Sequence, residues 1–412
     1  MDASSPTAID ESSARYEGWR IVAVCFLVAT FGWAFGFYGQ SVYLAELHRA
    51  HGWPASLISG ATTFFYLFGA LVVVFVSEAV KKFGPRRCLI AGTCATAIAA
   101  SALGQVREPW QLYVADSMLA FGWGGMSLGM ITNTLGLWFN QKRGMAISLA
   151  LNGASFGGIA GVPLLVIAIA HFGFPTAMII AAGVMVILVV PTVLIFVGKP
   201  PLLSAAAAAS TADTSSSTQI RARALRDMAF LSVTTAFALV LFAQVGFIAH
   251  LISFLDPVIG RASATTAIAL LTAMAVIGRL LFSTVIDRLN QRLASALSFM
   301  SQAAALLVLI NFRSEAALIA ACGVFGFSVG NLITLPSLIV QREFDPHSFG
   351  VLVSLQTAIA QVTYAFGPGV VGVLRDLSGS YTLPFYGCIA LELTAAVLIM
   401  IRGRRHDSSL RA

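Results

Sequence analysis

The chain has 412 residues, of which 58% are hydrophobic and only 10% charged, with a mean hydropathy of +0.86. Soluble globular domains carry roughly 25% charged residues, so this composition cannot clothe a water-facing surface and excludes a soluble enzyme; it equally excludes disorder, which needs low hydrophobicity and high net charge. The net charge of +7 is informative through its distribution along the chain and is no sign of nucleic acid as a partner.

Long apolar runs recur from end to end, broken by short polar or Pro/Gly punctuation. They predict helices over 20–45, 56–80, 88–106, 109–136, 143–170 and 175–197, then over 227–255, 263–286, 293–311, 315–340, 348–374 and 382–401. The runs are continuous rather than alternating, which selects helices over barrel strands as the structures able to satisfy a backbone in lipid. The expected class is therefore an all-α integral membrane protein with twelve transmembrane helices, embedded in the bilayer. Residues 1–18 are polar and acidic without a basic segment, so no cleavable signal peptide is expected.

The expected organisation is a cytoplasmic tail over 1–19, a six-helix bundle over 20–197, a linker over 198–226, a second bundle over 227–402 and a tail over 403–412. The linker opens with Lys199-Pro200-Pro201, runs through Ala205 to Ala209 and a Ser/Thr-rich tract, and ends in Arg221, Arg223 and Arg226. That composition reads as flexible. With the amino terminus inside and the spans alternating, nineteen Lys and Arg fall inside. Five fall outside (Arg49, Arg107, Arg261, Arg313 and Arg375), and Arg279 is the last of the 25. Such bias orients a membrane protein, so a multi-pass cell (inner) membrane location with both termini cytoplasmic is expected. Cys25, Cys88, Cys94, Cys322 and Cys388 make no C-x-x-C pair. They read as packing residues, with no disulfide framework, metal or cofactor expected.

Six spans, a long middle loop and six more spans resemble the major facilitator superfamily, whose halves pseudo-repeat. The loop Lys81-Lys82-Phe83-Gly84-Pro85-Arg86-Arg87 resembles that family's D-R-x-G-R-R segment. Lys81 stands where an acid is usual, and Glu78 is its candidate substitute one turn earlier. Asp287-Arg288 occupies the matching loop of the second half. The resemblance implies a cytoplasmic latch built from Glu78, Lys81, Gly84, Arg86, Arg87, Asp287 and Arg288, acting through ion pairs and helix dipoles. Trp138 to Ala146, continuing to Asn152-Gly153-Ala154-Ser155-Phe156-Gly157-Gly158, is similar to a signature of the monocarboxylate transporter and oxalate–formate antiporter group. Glu17-Gly18-Trp19 and Gly278-Arg279-Leu280-Leu281-Phe282 resemble two further segments of that group. The resemblance spans the chain and implies transport of a small organic anion. Oxalate-type relatives carry a second cation in span 11, where Gln356 stands here; one fixed cation suits a monoanion.

Arg279 lies inside span 8, where an unpaired guanidinium costs several kcal/mol unless it faces a cavity or a partner. It reads as a carboxylate anchor or as one member of a structural pair. His250 in span 7 is a proton-linked substrate contact or a neutral interface histidine. Asp116 in span 4 is a proton site or a structural group near the outer interface, and Glu392 in span 12 reads as structural. Tyr38 and Gln40 in span 1, with Asn152, Gln356 and Tyr364, are polar groups that must find partners or line the route. Gly153, Gly157 and Gly161, four apart, form a stripe for close helix packing, expected at the moving interface between halves.

No G-x-x-x-x-G-K-[ST] loop occurs, so the expected activity is secondary transport by alternating access. The expected cargo is a small organic monocarboxylate moved with a proton or by exchange. The alternative is a neutral or aromatic amphipathic compound, exported as a drug or imported as a vitamin. No nucleophile–base set or H-E-x-x-H pattern supports an enzyme. A monomer suffices for this architecture.

Overall fold

The computed structural model describes residues 11, 13, 16–139, 141–198, 214–285, 289–332, 334–345 and 348–401. All regular elements among them are helical. The first half holds α1 (Gly18–His51), α2 (Ala55–Val74), α3 (Val76–Phe83) and α4 (Pro85–Leu103). It continues with α5 (Pro109–Met126), α6 (Leu128–Gly136), α7 (Arg143–Phe172) and α8 (Phe174–Phe196). A short α9 (Thr214–Ala224) precedes α10 (Met228–Ile259), α11 (Arg261–Val285), α12 (Gln291–Asn311) and α13 (Glu315–Leu332). The chain closes with α14 (Leu335–Glu343), α15 (Phe349–Ala365), α16 (Gly367–Ser378) and α17 (Thr382–Leu398).

Nine helical stretches among the described residues are long and apolar enough to cross a membrane. With α4, α5 and α17 the chain makes the twelve passes expected from hydropathy. The largest departure is in α1, which runs on to His51 instead of ending near 45. Several passes are broken where local chemistry dictates. Ser127 is extended and its hydroxyl accepts from the Met130 amide at 3.4 Å, capping α6 as α5 ends. At the α15–α16 junction, Pro368 sits in the first turn of α16, where its missing N–H costs nothing but the preceding helix cannot continue. Two passes contain π-helical turns, Ala34–Tyr38 in α1 and Gly157–Gly161 in α7.

The glycine stripe explains how α1 and α7 lie so close. A Cβ on Gly153 would strike the Phe26 carbonyl, and one on Gly157 the Thr30 carbonyl, both on α1. This corrects the expected location: the stripe packs inside the first half, and Gly158, one residue round the helix, is the position facing Thr272 of α11. The linker also differs from expectation over its last part. α9 forms there because Ile220 and Ala224, one turn apart, pack with Leu352 and Phe349 of α15, contacts that outweigh the local Ser/Thr preference. Residues 199–213 of the linker, and the tails over 1–10 and 402–412, lie outside the described residues.

Arg292, a loop charge by sequence, is 1% exposed. It donates to both carboxylate oxygens of Glu343 at 2.7 and 2.8 Å, and to the carbonyls of Ala229, Ile399 and Ile401 and the Ser232 hydroxyl. One guanidinium thereby ties α12 to α14, to the start of α10 and to the end of α17. Removing one partner of a buried pair costs about 3 kcal/mol or more. Arg292→Ala should therefore lower the thermal unfolding temperature in detergent markedly, and Arg292→Lys should recover little, since an ammonium lacks the fork. An unfolding temperature equal to wild type in Arg292→Ala would refute this reading.

Candidate functional site

The site begins with the close approach of α11 and α13. A Cβ on Gly278 would meet the Phe327 carbonyl, and one on Gly330 the Ala275 carbonyl, so two backbones touch where side chains would hold them apart. That proximity brings the Arg279 Nε 3.3 Å from the Gly330 carbonyl, to which it donates. Among the described residues no acid lies within 4.0 Å of this half-buried guanidinium. Among the described residues the bond to the Gly330 carbonyl is the one hydrogen bond the guanidinium makes.

Across the gap between halves, the π-helical turn of α1 carries Tyr38, which interacts electrostatically with Arg279. A π-turn inserts one residue into the helical register and often marks a functional position. The matching π-turn of α7 lies directly against it. Phe37 meets Tyr38 edge-on at 5.0 Å and lies 6.3 Å from Tyr66 of α2. Tyr66 in turn packs edge-on against Tyr364 of α15 at 5.7 Å. Four rings drawn from both halves therefore form one run, and Tyr38 is its member next to Arg279. Such a set suits an anion with a flat apolar body.

The remaining expected residues divide. Gln356 is buried with its Nε2 unpartnered, and Asn152 is half-buried. Gln40 accepts at 2.9 Å from the Thr62 hydroxyl, and its Nε2 too is buried and unpartnered. His250 is 0% exposed. Its Nε2–H donates to the Pro368 carbonyl at 3.0 Å and its Nδ1 accepts from the Tyr381 hydroxyl at 3.1 Å. With both ring nitrogens occupied, it ties α10 to the first turn of α16 and to the residue before α17. Asp116 is 2% exposed and stands apart from Arg279. Glu78, Lys81, Arg86 and Arg87 are exposed, and Gly84 makes its turn at φ +80°. Among the described residues those four make no ion pair. Asp287 and Arg288 lie outside the described residues.

Sequence reading passed over the groups that join the halves at the end of the bundle opposite Lys81, Lys82, Arg86 and Arg87. Glu46 of α1, 1% exposed, forms an ion pair with Arg261 at the start of α11 and a second with Arg49 at 2.8 Å. The Asp376 carboxylate of α16 accepts from the Ala55 and Ser56 amides at 3.3 and 2.7 Å. It thereby caps the positive end of α2 from the other half. The Thr63 hydroxyl accepts from the Gly369 amide at 3.1 Å. Broad contacts between halves join α2 to α15 and α16, α1 to α10, and α7 to α11. Among the described residues, α3 and α6 near the basic end have none with the second half. The end opposite the basic loops is therefore sealed. The available sequence signal was Glu46 itself, an acid within the apolar stretch Val42-Tyr43-Leu44-Ala45-Glu46-Leu47.

Two six-pass halves packed against each other, closed together at one end, have the architecture of a membrane transporter. The Major Facilitator Superfamily model matches residues 24–368, and the chain belongs to that family. It is a multi-pass membrane transporter and not an enzyme. It is 26% identical to the MFS-type transporter pynF of Aspergillus niger over 384 residues, covering 90% of this chain and 84% of that protein. It is 23% identical to the aspyridones efflux protein apdF of Emericella nidulans over 399 residues, covering 92% and 74%. A shorter match, 35% over 103 residues, covers 25% of this chain and 62% of a putative anionic 4-hydroxy-benzoate permease of Thauera aromatica. Among solved structures, a bacterial homolog of the human lysosomal transporter Spinster shares the fold with a TM-score of 0.70 at 14% identity, covering 94% and 97%. The nucleoside transporter NupG does so with a TM-score of 0.73 at 11% identity, covering 94% and 100%.

Weakening the seal should open that end. With spin labels at Ala50→Cys and Ala262→Cys in a background without the native cysteines, Glu46→Gln with Asp376→Ala should lengthen the measured distance distribution. A distribution unchanged by both substitutions would show that these contacts do not hold the halves together.

Proposed function

We propose that the chain is a secondary transporter of small organic monocarboxylates, moved by alternating access of its two six-helix bundles, 20–197 and 227–402. The observation that carries this reading is the Arg279 guanidinium, held between the halves and paired with no acid among the described residues. A guanidinium there stays charged and presents a planar fork to a carboxylate. Tyr38 would lend a hydroxyl to the bound anion, and Tyr66, Phe37 and Tyr364 would enclose its carbon skeleton. Gln356 and Asn152 remain candidate lining groups of the same route. His250 is assigned a structural role. The resemblance to the monocarboxylate and oxalate–formate group supports an anionic cargo, as does the relative named as an anionic 4-hydroxy-benzoate permease.

The charge bias supports an orientation with the basic end and both termini in the cytoplasm. The described conformation is then closed to the outside. The linker 198–226 would let the halves rock, and the loop residues Glu78, Lys81, Gly84, Arg86, Arg87, Asp287 and Arg288 would latch the inner end when it closes. A monomer contains the whole route. A second reading, a neutral aromatic amphipath as cargo, draws support from the four clustered rings and from the relative named as an aspyridones efflux protein.

The two readings separate in proteoliposomes. Arg279→Ala should cut uptake of labelled 4-hydroxybenzoate or lactate by about 30-fold or more, the scale of losing a 2 kcal/mol charge-assisted contact. Tyr38→Phe should cost nearer fivefold, as one neutral hydrogen bond contributes about 1 kcal/mol. Uptake that survives in Arg279→Ala while the protein stays folded would reject the anion reading. Competition by uncharged aromatic compounds alone would then favour the second.

A further inference from the structure

At the closed end, α2 of the first half and α15–α16 of the second run antiparallel and meet in a row of contacts. Tyr66 packs edge-on against Tyr364 at 5.7 Å. The Thr63 hydroxyl accepts from the Gly369 amide at 3.1 Å. A Cβ on Gly372 would strike the Ser59 hydroxyl and the Ala55 carbonyl. Asp376 ends the row on the Ala55 and Ser56 amides. Tyr66, Thr63, Ser59 and Ser56 recur at three- and four-residue intervals, so they share one face of α2. Pro54 offers the first amides of α2 no side-chain acceptor, and Asp376 of the other half supplies it. The last contact therefore depends on where one carboxylate points.

That carboxylate is held in an unusual way. Arg375 donates to its Oδ1 at 2.9 Å. Adjacent residues of a helix project about 100° apart and do not face each other, so the guanidinium has to be turned toward its neighbour by a third group. Tyr381 is placed to do this: the Arg375 Cζ lies over its ring, 5.8 Å from the centroid, an attractive arrangement. The chain returns there because Gly379 ends α16 at φ +69°. The Ser378 hydroxyl braces that turn by donating to the Leu374 and Ser380 carbonyls at 2.7 and 2.9 Å. The ring itself is held on three sides. It stacks on Phe385 at 5.4 Å, meets Phe254 edge-on at 5.9 Å, and its hydroxyl donates to His250 Nδ1.

We propose that Tyr381 is a positioning residue of the closed end: its ring turns Arg375 onto Asp376, and the pair keeps the carboxylate on the first amides of α2. Oδ1 then receives Arg375 and the Ala55 amide, and Oδ2 the Ser56 amide. Without the ring the guanidinium returns to water and Asp376 regains its rotamer freedom. The cap on the positive end of α2 is then made only part of the time. Through Tyr381, groups on α10 and α17 that touch nothing in the first half at this point set how readily α16 leaves α2. This role is independent of the cargo.

Ser59 is 0% exposed, so a cysteine there reacts with a maleimide only when α16 leaves α2, at a rate set by the open population. In full-length protein carrying Ser59→Cys and none of the native cysteines, Tyr381→Leu should raise that rate about threefold, the scale of one cation–π contact. Asp376→Ala should raise it about fivefold, the scale of a lost helix cap. Tyr381→Leu combined with Asp376→Ala should react no faster than Asp376→Ala alone, because the ring acts through the carboxylate. Tyr381→Phe, which keeps the ring, should keep most of the protection. Lost packing against Phe254 and Phe385 would instead lower the unfolding temperature and multiply the Asp376→Ala rate. An unchanged rate in Tyr381→Leu, a multiplied rate in the double variant, or Tyr381→Phe reacting as fast as Tyr381→Leu overturns the proposal. If Tyr381→Leu does not fold, Arg375→Gln takes its place and should show the same acceleration, absent once Asp376→Ala is present; no acceleration there overturns the proposal too.

Discussion

A charge inside a bundle that excludes water is stable only if other groups replace its hydration, and this chain answers that constraint differently at each buried cation. Arg292 meets a carboxylate, three carbonyls and a hydroxyl, which leaves it no capacity for anything else. Arg261 is neutralised by an acid of the opposite half. Arg279 has one carbonyl and a neighbouring phenol. Chemically the three side chains are identical. Their environments make one a staple, one a link between the halves and one a guanidinium with a single hydrogen bond among the described residues.

The same sorting separates contacts that stay from contacts that can part. Within the halves, α1 meets α7 and α11 meets α13 with backbone against backbone at Gly153, Gly157, Gly278 and Gly330. Those surfaces offer little to water if pulled apart, and nothing would replace the lost packing. Between the halves, the seal is an ion pair, a carboxylate on a helix end and a hydroxyl on a glycine amide. Water can satisfy each of those groups if they separate. Rigid bundles with hydratable contacts between them are what alternating access demands. His250 belongs with the second half, because its two hydrogen bonds tie α10 to the starts of α16 and α17.

Hydropathy and charge bias along the chain determined the helical class, the number of passes and nearly all their boundaries, because membrane insertion is decided by short stretches read one at a time. The Gly278-Arg279 segment stood out for the same local reason, a charge in the middle of an apolar run. Partnership could not be read this way. Nothing near Arg292 in the chain announces Glu343, nor does anything near Glu46 announce Arg261, and those partners lie in separate helices. The glycine stripe was visible as a spacing, but its target was decided by which helix lay opposite. His250 and Asp116 looked alike as intramembrane titratable groups until packing gave one two partners and left the other's Oδ1 with none. Whether a buried polar group is spent on structure or kept for function depends on atoms distant in sequence, and those meet only when the helices pack.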